Sequence, residues 1–151
     1  MVPRVNSENS IAILFVEDDP LILELQSSML ALRFPNFVFH TATNGKLGLE
    51  QFRRHEPDIV ITDINMTEMC GVQMSETIRS CKPDIKIIAI TGKSGKIIHN
   101  DPDNNEFVFD HLIVKPVDLS ELFAVVERCI GEIQHRQIKC GFRTKSATDS
   151  D

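Results

Sequence analysis

The chain reads as an α/β protein built on one five-stranded parallel sheet. Two observations carry this. Short, almost unbroken Val/Ile/Leu runs recur along the sequence, which suits strands buried on both faces. Between them lie stretches with helical spacing of apolar residues, and strands alternating with helices indicate βαβ units. A third observation bounds the size: 151 residues make one domain with a substantial core rather than two.

The elements follow in order. "IAILFV" (11–16) is the first strand. "DPLILELQSSMLALRF" places Leu21, Leu25, Met29 and Leu32 three or four apart, which predicts a helix buried along that stripe. Asp19 is its expected N-cap and Pro20 its first helical residue. "NFVFHTA" (36–42) is a strand, and "NGKLGLEQFRRH" (44–55) a helix whose apolar side draws on Leu47 and 49–52. "DIVITD" (58–63) is a strand, "VQMSETIRS" (72–80) a short helix, and "IKIIAIT" (85–91) and "DHLIVKP" (110–116) are the last two strands. "DLSELFAVVERCI" (118–130) is a helix, with Asp118 and Glu121 at capping-box spacing. Right-handed crossovers allow helices on both faces, a flavodoxin-like three-layer sandwich with strand order 2-1-3-4-5. The stretch between strands four and five, rich in Gly, Asn and Asp, predicts at most a short helix and a loop. Residues 1–9 read as a flexible N-terminus, 10–131 as the domain, and 132–151 as a polar, partly disordered tail.

Composition narrows the function. The net charge of −6 offers no broad basic surface for phosphates, so nucleic acid is not an expected partner. No run approaches the about 18 apolar residues of a membrane span. The polar start lacks a secretory signal, so no membrane role and a cytoplasmic location are expected. The four cysteines form no CxxC pair and the five histidines show no metal-ligand spacing, so reduced thiols, packed or at the surface, and histidines in surface or satisfied positions are expected. "TGKSGK" is not a nucleotide loop, because Ile87 stands where a Walker A glycine is required.

In such a sheet the functional crevice lies outside the carboxyl ends of the strands. Strand one ends in Glu17, Asp18 and Asp19, strand three in Asp63 followed by Asn65, strand four in Thr91, and strand five in Lys115 and Pro116. Close carboxylates cannot all ionise cheaply, and oxygen ligands of this kind suit Mg²⁺. A carboxylate at Asp63 beside a metal can attack a phosphoryl group. The metal and Lys115 would share the charge on the transferred oxygens, with Thr91 hydrogen-bonded to one of them. The plainer readings are strand-end caps for the acids, which suits Asp19 before Pro20, and a surface lysine for Lys115.

The set Glu17–Asp18, Asp63, Thr91 and Lys115–Pro116, in this order and on these elements, resembles the receiver domain of two-component response regulators. The resemblance implies that Asp63 takes a phosphoryl group from a sensor histidine kinase or histidine phosphotransfer protein and so switches binding to a downstream protein. It implies Mg²⁺ on the side chains of Asp18 and Asp63 and the backbone carbonyl of Asn65, with Glu17 reaching it through water. It further implies that Thr91 and Lys115 contact the phosphoryl group and that the Lys115–Pro116 bond is cis. The chain departs from the family pattern at Thr67 and Cys70 in "MTEMCG", at Leu112 where an aromatic is usual, and in "NNEFVFD" before strand five. Two alternatives stand beside this reading. One is a receiver-like interaction module that works without phosphorylation. The other is a Mg²⁺-dependent aspartyl-phosphate phosphohydrolase, against which Asp18–Asp19 lacks the DxD spacing.

Overall fold

The computed structural model describes residues 10–66, 68–92 and 108–149, with side chains through Arg136. The elements are β1 (Ala12–Val16), α1 (Pro20–Arg33), β2 (Val38–Ala42), α2 (Gly45–His55), β3 (Ile59–Asp63), α3 (Gly71–Cys81), β4 (Lys86–Thr91), β5 (His111–Val114) and α4 (Leu119–Asp149). The sheet runs β2-β1-β3-β4-β5 and every pair is parallel, the order expected from the sequence. The Gly- and Asn-rich stretch, including Lys93 and residues 93–107, lies outside the described residues, as do Thr67 and residues 1–9.

Strand periodicity explains why the central strands are apolar throughout. Ile13 and Phe15 of β1, Ile59 and Ile61 of β3, and Ile88 and Ile90 of β4 pack on one face against α1 and α4. Leu14, Val16, Val60 and Ile87 point the other way, against Leu49 and Phe52 of α2 and Met74 and Ile78 of α3. Both faces are covered, so alternation of polar and apolar residues disappears. Polar pins fix the last strand. Asp110 pairs with Arg79 of α3 at 2.5 Å and accepts the Ile87 backbone N–H at 2.8 Å, locking β5 to β4 and α3.

Three of the four described helix starts carry a side-chain cap, while α3 begins after Cys70 without one. Asp19 accepts the N–H groups of Leu21 and Ile22, Asn44 accepts that of Leu47, and Asp118 accepts that of Ser120. The end of α2 falls at Glu56, which takes the left-handed conformation (φ 44°). Lys82 donates to the carbonyls of Glu56 and Pro57 just beyond it.

Two local expectations are corrected. The buried stripe of α1 is Leu23 and Leu30, continued by Phe34, while Leu21, Leu25 and Leu32 are 77%, 62% and 77% exposed. The helix carries two apolar stripes, and its last turn decides between them. Phe34 stacks on Phe37 at 5.6 Å and meets Phe123 of α4 edge-on at 6.2 Å, which turns Leu30 inward. Leu47 of α2 is likewise exposed, and Gly45 and Gly48 are buried in its place. The second correction concerns α4, which does not stop near Ile130. Residues 132–149, expected as a partly disordered tail, carry helical backbone to Asp149. Ile133 is buried against the core, and Arg136 donates to the Asp84 carbonyl at 2.9 Å, so the helix is anchored one and a half turns past its expected end. No proline interrupts the stretch that follows.

The α1 assignment predicts opposite outcomes for neighbouring leucines. Leu30→Ala should cost about 2–5 kcal/mol in denaturant unfolding. Leu25→Ala should stay within about 0.5 kcal/mol. Equal losses would contradict this placement of the helix.

Candidate functional site: an acidic crevice at the strand ends

Parallel strands that end together deliver their last residues to one edge. β1 hands over Glu17 and Asp18, and Glu17 N–H bonds the Ala42 carbonyl, which holds the first turn beyond the strand against β2. β3 ends in Asp63. The chain after it is held by two backbone bonds, Ile64 N–H to Ile90 O at 3.0 Å and Gly71 N–H to Ile64 O at 2.9 Å. Gly71 is required there, because a Cβ would run into the Asp63 carbonyl oxygen. Lys115 follows β5, and its N–H bonds the Thr91 carbonyl at 2.7 Å. The Lys115–Pro116 bond is cis.

The resulting crevice brings four of the expected groups into contact. One oxygen from each of the Glu17, Asp18 and Asp63 carboxylates lies within 4.8 Å of the others. Lys115 Nζ reaches Asp63 Oδ2 at 2.7 Å. Asp63 and Glu17 are buried, at 2% and 3% exposure. Asn65 joins through its backbone, its N–H donating to Asp63 Oδ1 at 3.2 Å. Thr91 is buried at the end of β4, one residue beyond Ile90, the register partner of Asp63. Asp19 is turned away as the α1 cap, but its N–H donates to Glu17 Oε2 at 3.1 Å.

The electrostatics follow from three carboxylates and one ammonium. Burial pushes the Glu17 carboxyl up from 4.5 to about 7; the Asp19 N–H opposes this, the Asp18 hydrogen bond and the Asp63 charge add to it, and Lys115 opposes it. Burial pulls the Lys115 ammonium down, but the hydrogen bond and charge of Asp63, then Glu17 and Asp18, leave it above its ordinary value. One ammonium does not neutralise the group, and a hard divalent cation on oxygen ligands would suit it.

Comparison with known proteins decides the family. The model of the response regulator receiver domain matches residues 13–127. The chain belongs to the response regulator receiver domain family. It is a receiver domain of the two-component response regulators, with their flavodoxin-like fold, in a family whose members accept phosphoryl groups and generally use Mg²⁺. Among curated relatives, it is 33% identical over 115 residues to the transcriptional regulatory protein GlrR of Escherichia coli, covering 76% of this chain and 25% of that protein. It is 29% identical over 126 residues to the cell cycle response regulator CtrA of Brucella ovis, covering 81% of this chain and 53% of that protein. The chain therefore spans about a quarter to a half of these relatives. Among solved structures, the response regulator protein TrrA of Thermotoga maritima, in complex with Mg(2+)-BeF, is 33% identical with a TM-score of 0.65, covering 79% of this chain and 98% of that one. A CheY-like receiver domain protein from Methanospirillum hungatei is similar in fold, with a TM-score of 0.69 at 24% identity, covering 84% of this chain and 98% of that one.

Receiver domains interact with histidine kinases and downstream effectors. Several relatives of this receiver are named transcriptional regulators, so the acidic composition describes this domain's own surface and does not exclude DNA as a partner of a longer protein. Among the described residues no helix is long and apolar enough to cross a membrane.

The raised Glu17 pKa predicts a stability signature in metal-free protein. The unfolded state ionises Glu17 near 4.5 and the fold only near 7, so stability is lost as pH rises through that window and stays lost above it. Glu17→Gln should raise the melting temperature in chelator at a pH well above 7 by roughly 4 °C or more. Below 4.5 the two proteins should melt alike. An unchanged difference across the window would show that Glu17 ionisation is not the cause.

Proposed function

We propose that Asp63 is the phosphoacceptor of this receiver domain, taking a phosphoryl group from a phospho-histidine of a sensor histidine kinase or a histidine phosphotransfer protein. The observation that carries this is the 2.7 Å contact between Lys115 Nζ and Asp63 Oδ2 beside the Glu17 and Asp18 carboxylates. Asp63 is held by the end of β3 and by the Asn65 N–H, so its attacking oxygen is presented without the freedom of a loop residue. An Asp63 oxygen forms the O–P bond as the donor N–P bond breaks, and the donor imidazole takes up a proton as it leaves. Lys115 stabilises charge on the transferred oxygens, and Thr91 hydrogen-bonds one of them.

The residues fit Mg²⁺, because the donors are all oxygen and their charge exceeds what Lys115 supplies. Asp18, Asp63 and the Asn65 carbonyl would hold it, with Glu17 reaching it through water. Bound there, Mg²⁺ supplies charge neutralisation for the phosphoryl oxygens. Phosphoryl transfer would then shift the population of two conformers and so change binding to a downstream protein. The domain acts as an acceptor that transfers and loses its own phosphoryl group, not as a phosphohydrolase turning over many substrates. The sheet and the strand ends that build the site lie within the proposed domain, 10–131, whose last helix continues past that limit, and a cytoplasmic location suits this role.

A second reading rests on Leu112, which is half-buried against Ile64, Val72 and Ala89 where the family usually has an aromatic. A small, already packed side chain suits a module whose partner binding ignores phosphorylation.

Incubation with Mg²⁺ and acetyl phosphate, followed by intact-mass measurement, tests the acceptor. One phosphoryl group should add to the parent and none to Asp63→Asn. Lys115→Ala should label slower by roughly tenfold or more. Equal labelling of Asp63→Asn would overturn the assignment. Equal partner affinity for the phosphorylated parent and Asp63→Asn would favour the second reading.

A further inference from the structure

A second cluster lies at the opposite end of β5. His111 opens the strand, and its side chain faces α4, where Cys129 and Glu132 stand three residues apart and so share one helix face. One ligand atom from each of the three lies within 4.8 Å of the others, and His111 Nε2 is 3.8 Å from Glu132 Oε1. Cys129 is fully buried, His111 is largely buried, and the Glu132 side chain is 45% exposed. A tetrahedral ion with bonds of about 2.0–2.3 Å needs donors roughly 3.3–3.7 Å apart. The His111–Glu132 pair at 3.8 Å is already near that spacing, and the Cys129 distances, at most 4.8 Å, need to shorten by no more than roughly 1.5 Å.

We propose that His111, Cys129 and Glu132 bind a divalent transition-metal ion of the Zn²⁺ type, with water at the fourth position. The donors choose the metal. Sulfur and imidazole select a borderline-soft ion over Mg²⁺, so this site and the all-oxygen crevice take different cations. Burial of Cys129 behind the other two donors leaves the exposed Glu132 side as the entry path. Binding displaces the thiol proton to solvent, and the thiolate and carboxylate then balance the ion's two charges. Lys86 currently serves Glu132 as cation, with Nζ 3.3 Å from Oε1, and it must swing away when a metal enters. That makes Lys86 a built-in competitor and gives the proposal a variant that strengthens binding.

Co²⁺ titration of the reduced chain, read by absorbance, tests this. The expected result is one equivalent giving a thiolate-to-cobalt charge-transfer band and the intense visible bands of tetrahedral Co²⁺, both lost on adding Zn²⁺ and both kept in Asp63→Asn. Cys129→Ser should abolish the charge-transfer band. His111→Gln and Glu132→Gln, which alter more accessible positions, should each weaken binding by more than about tenfold. Lys86→Met should tighten it severalfold. Co²⁺ spectra without a charge-transfer band, a band that survives Cys129→Ser, or affinity indifferent to both His111→Gln and Lys86→Met would overturn the site.

Discussion

One ammonium faces three carboxylates at the carboxyl end of the sheet, and the contact between Lys115 and Asp63 holds that imbalance together. It joins residues 52 positions apart at 2.7 Å, and it exists only because β3, β4 and β5 end in register. Each supporting feature serves that alignment. Arg79 and Asp110 fix where β5 begins, the Thr91 carbonyl fixes where Lys115 leaves it, and Gly71 lets the loop after β3 fold back against Asp63. Burial is the main reason the Glu17 carboxyl is pushed up to about 7, and the neighbouring Asp18 and Asp63 carboxylates add to it. Three carboxylates held around one ammonium depend on electrostatics as much as on packing, unlike a pocket built from apolar contacts alone.

The fold was legible because a doubly covered parallel sheet leaves a strong mark. Ile59 to Ile61 and Ile87 to Ile90 are apolar on both faces, and no half-exposed strand looks like that. The crevice was legible for the same reason: once strand ends are known, Glu17, Asp18, Asp63 and Lys115 must share an edge. Periodicity failed where it had two solutions. Leu21, Leu25 and Leu32 match a helical stripe as well as Leu23 and Leu30 do, and only contacts with Phe37 and Phe123 choose between them. The length of α4 was hidden for a related reason, since a polar composition is compatible with helix once Ile133 and Arg136 anchor its continuation.

The His111, Cys129 and Glu132 cluster escaped sequence reading because its spacing is tertiary. Metal motifs are recognised when two or more ligands sit close in the chain. Here the nearest pair is a cysteine and a glutamate, a combination that helices carry by chance, and the histidine is 18 positions away on a strand. Only the packing of α4 on β5 makes them neighbours.

Both clusters hang on β5. His111 and Ile113 alternate onto the same side of the strand, and Lys115 follows its end, about 13 Å along the chain from His111 at the usual rise per residue. Between them Ile113 is fully buried against α4. A metal joining His111 to Cys129 and Glu132 would tie the start of β5 to α4, while the end of the strand carries the lysine that meets Asp63. Sharing an element does not itself couple two sites. An ion would influence the crevice only by the difference in its affinity for two arrangements of β5 on α4, and Lys115 would report that difference through its reach to Asp63. The strand is short, four residues, and pinned at one end by Asp110 and at the other by the Thr91 carbonyl. A shift at His111 would therefore have to move these pins together, which favours all-or-none adjustment over gradual bending.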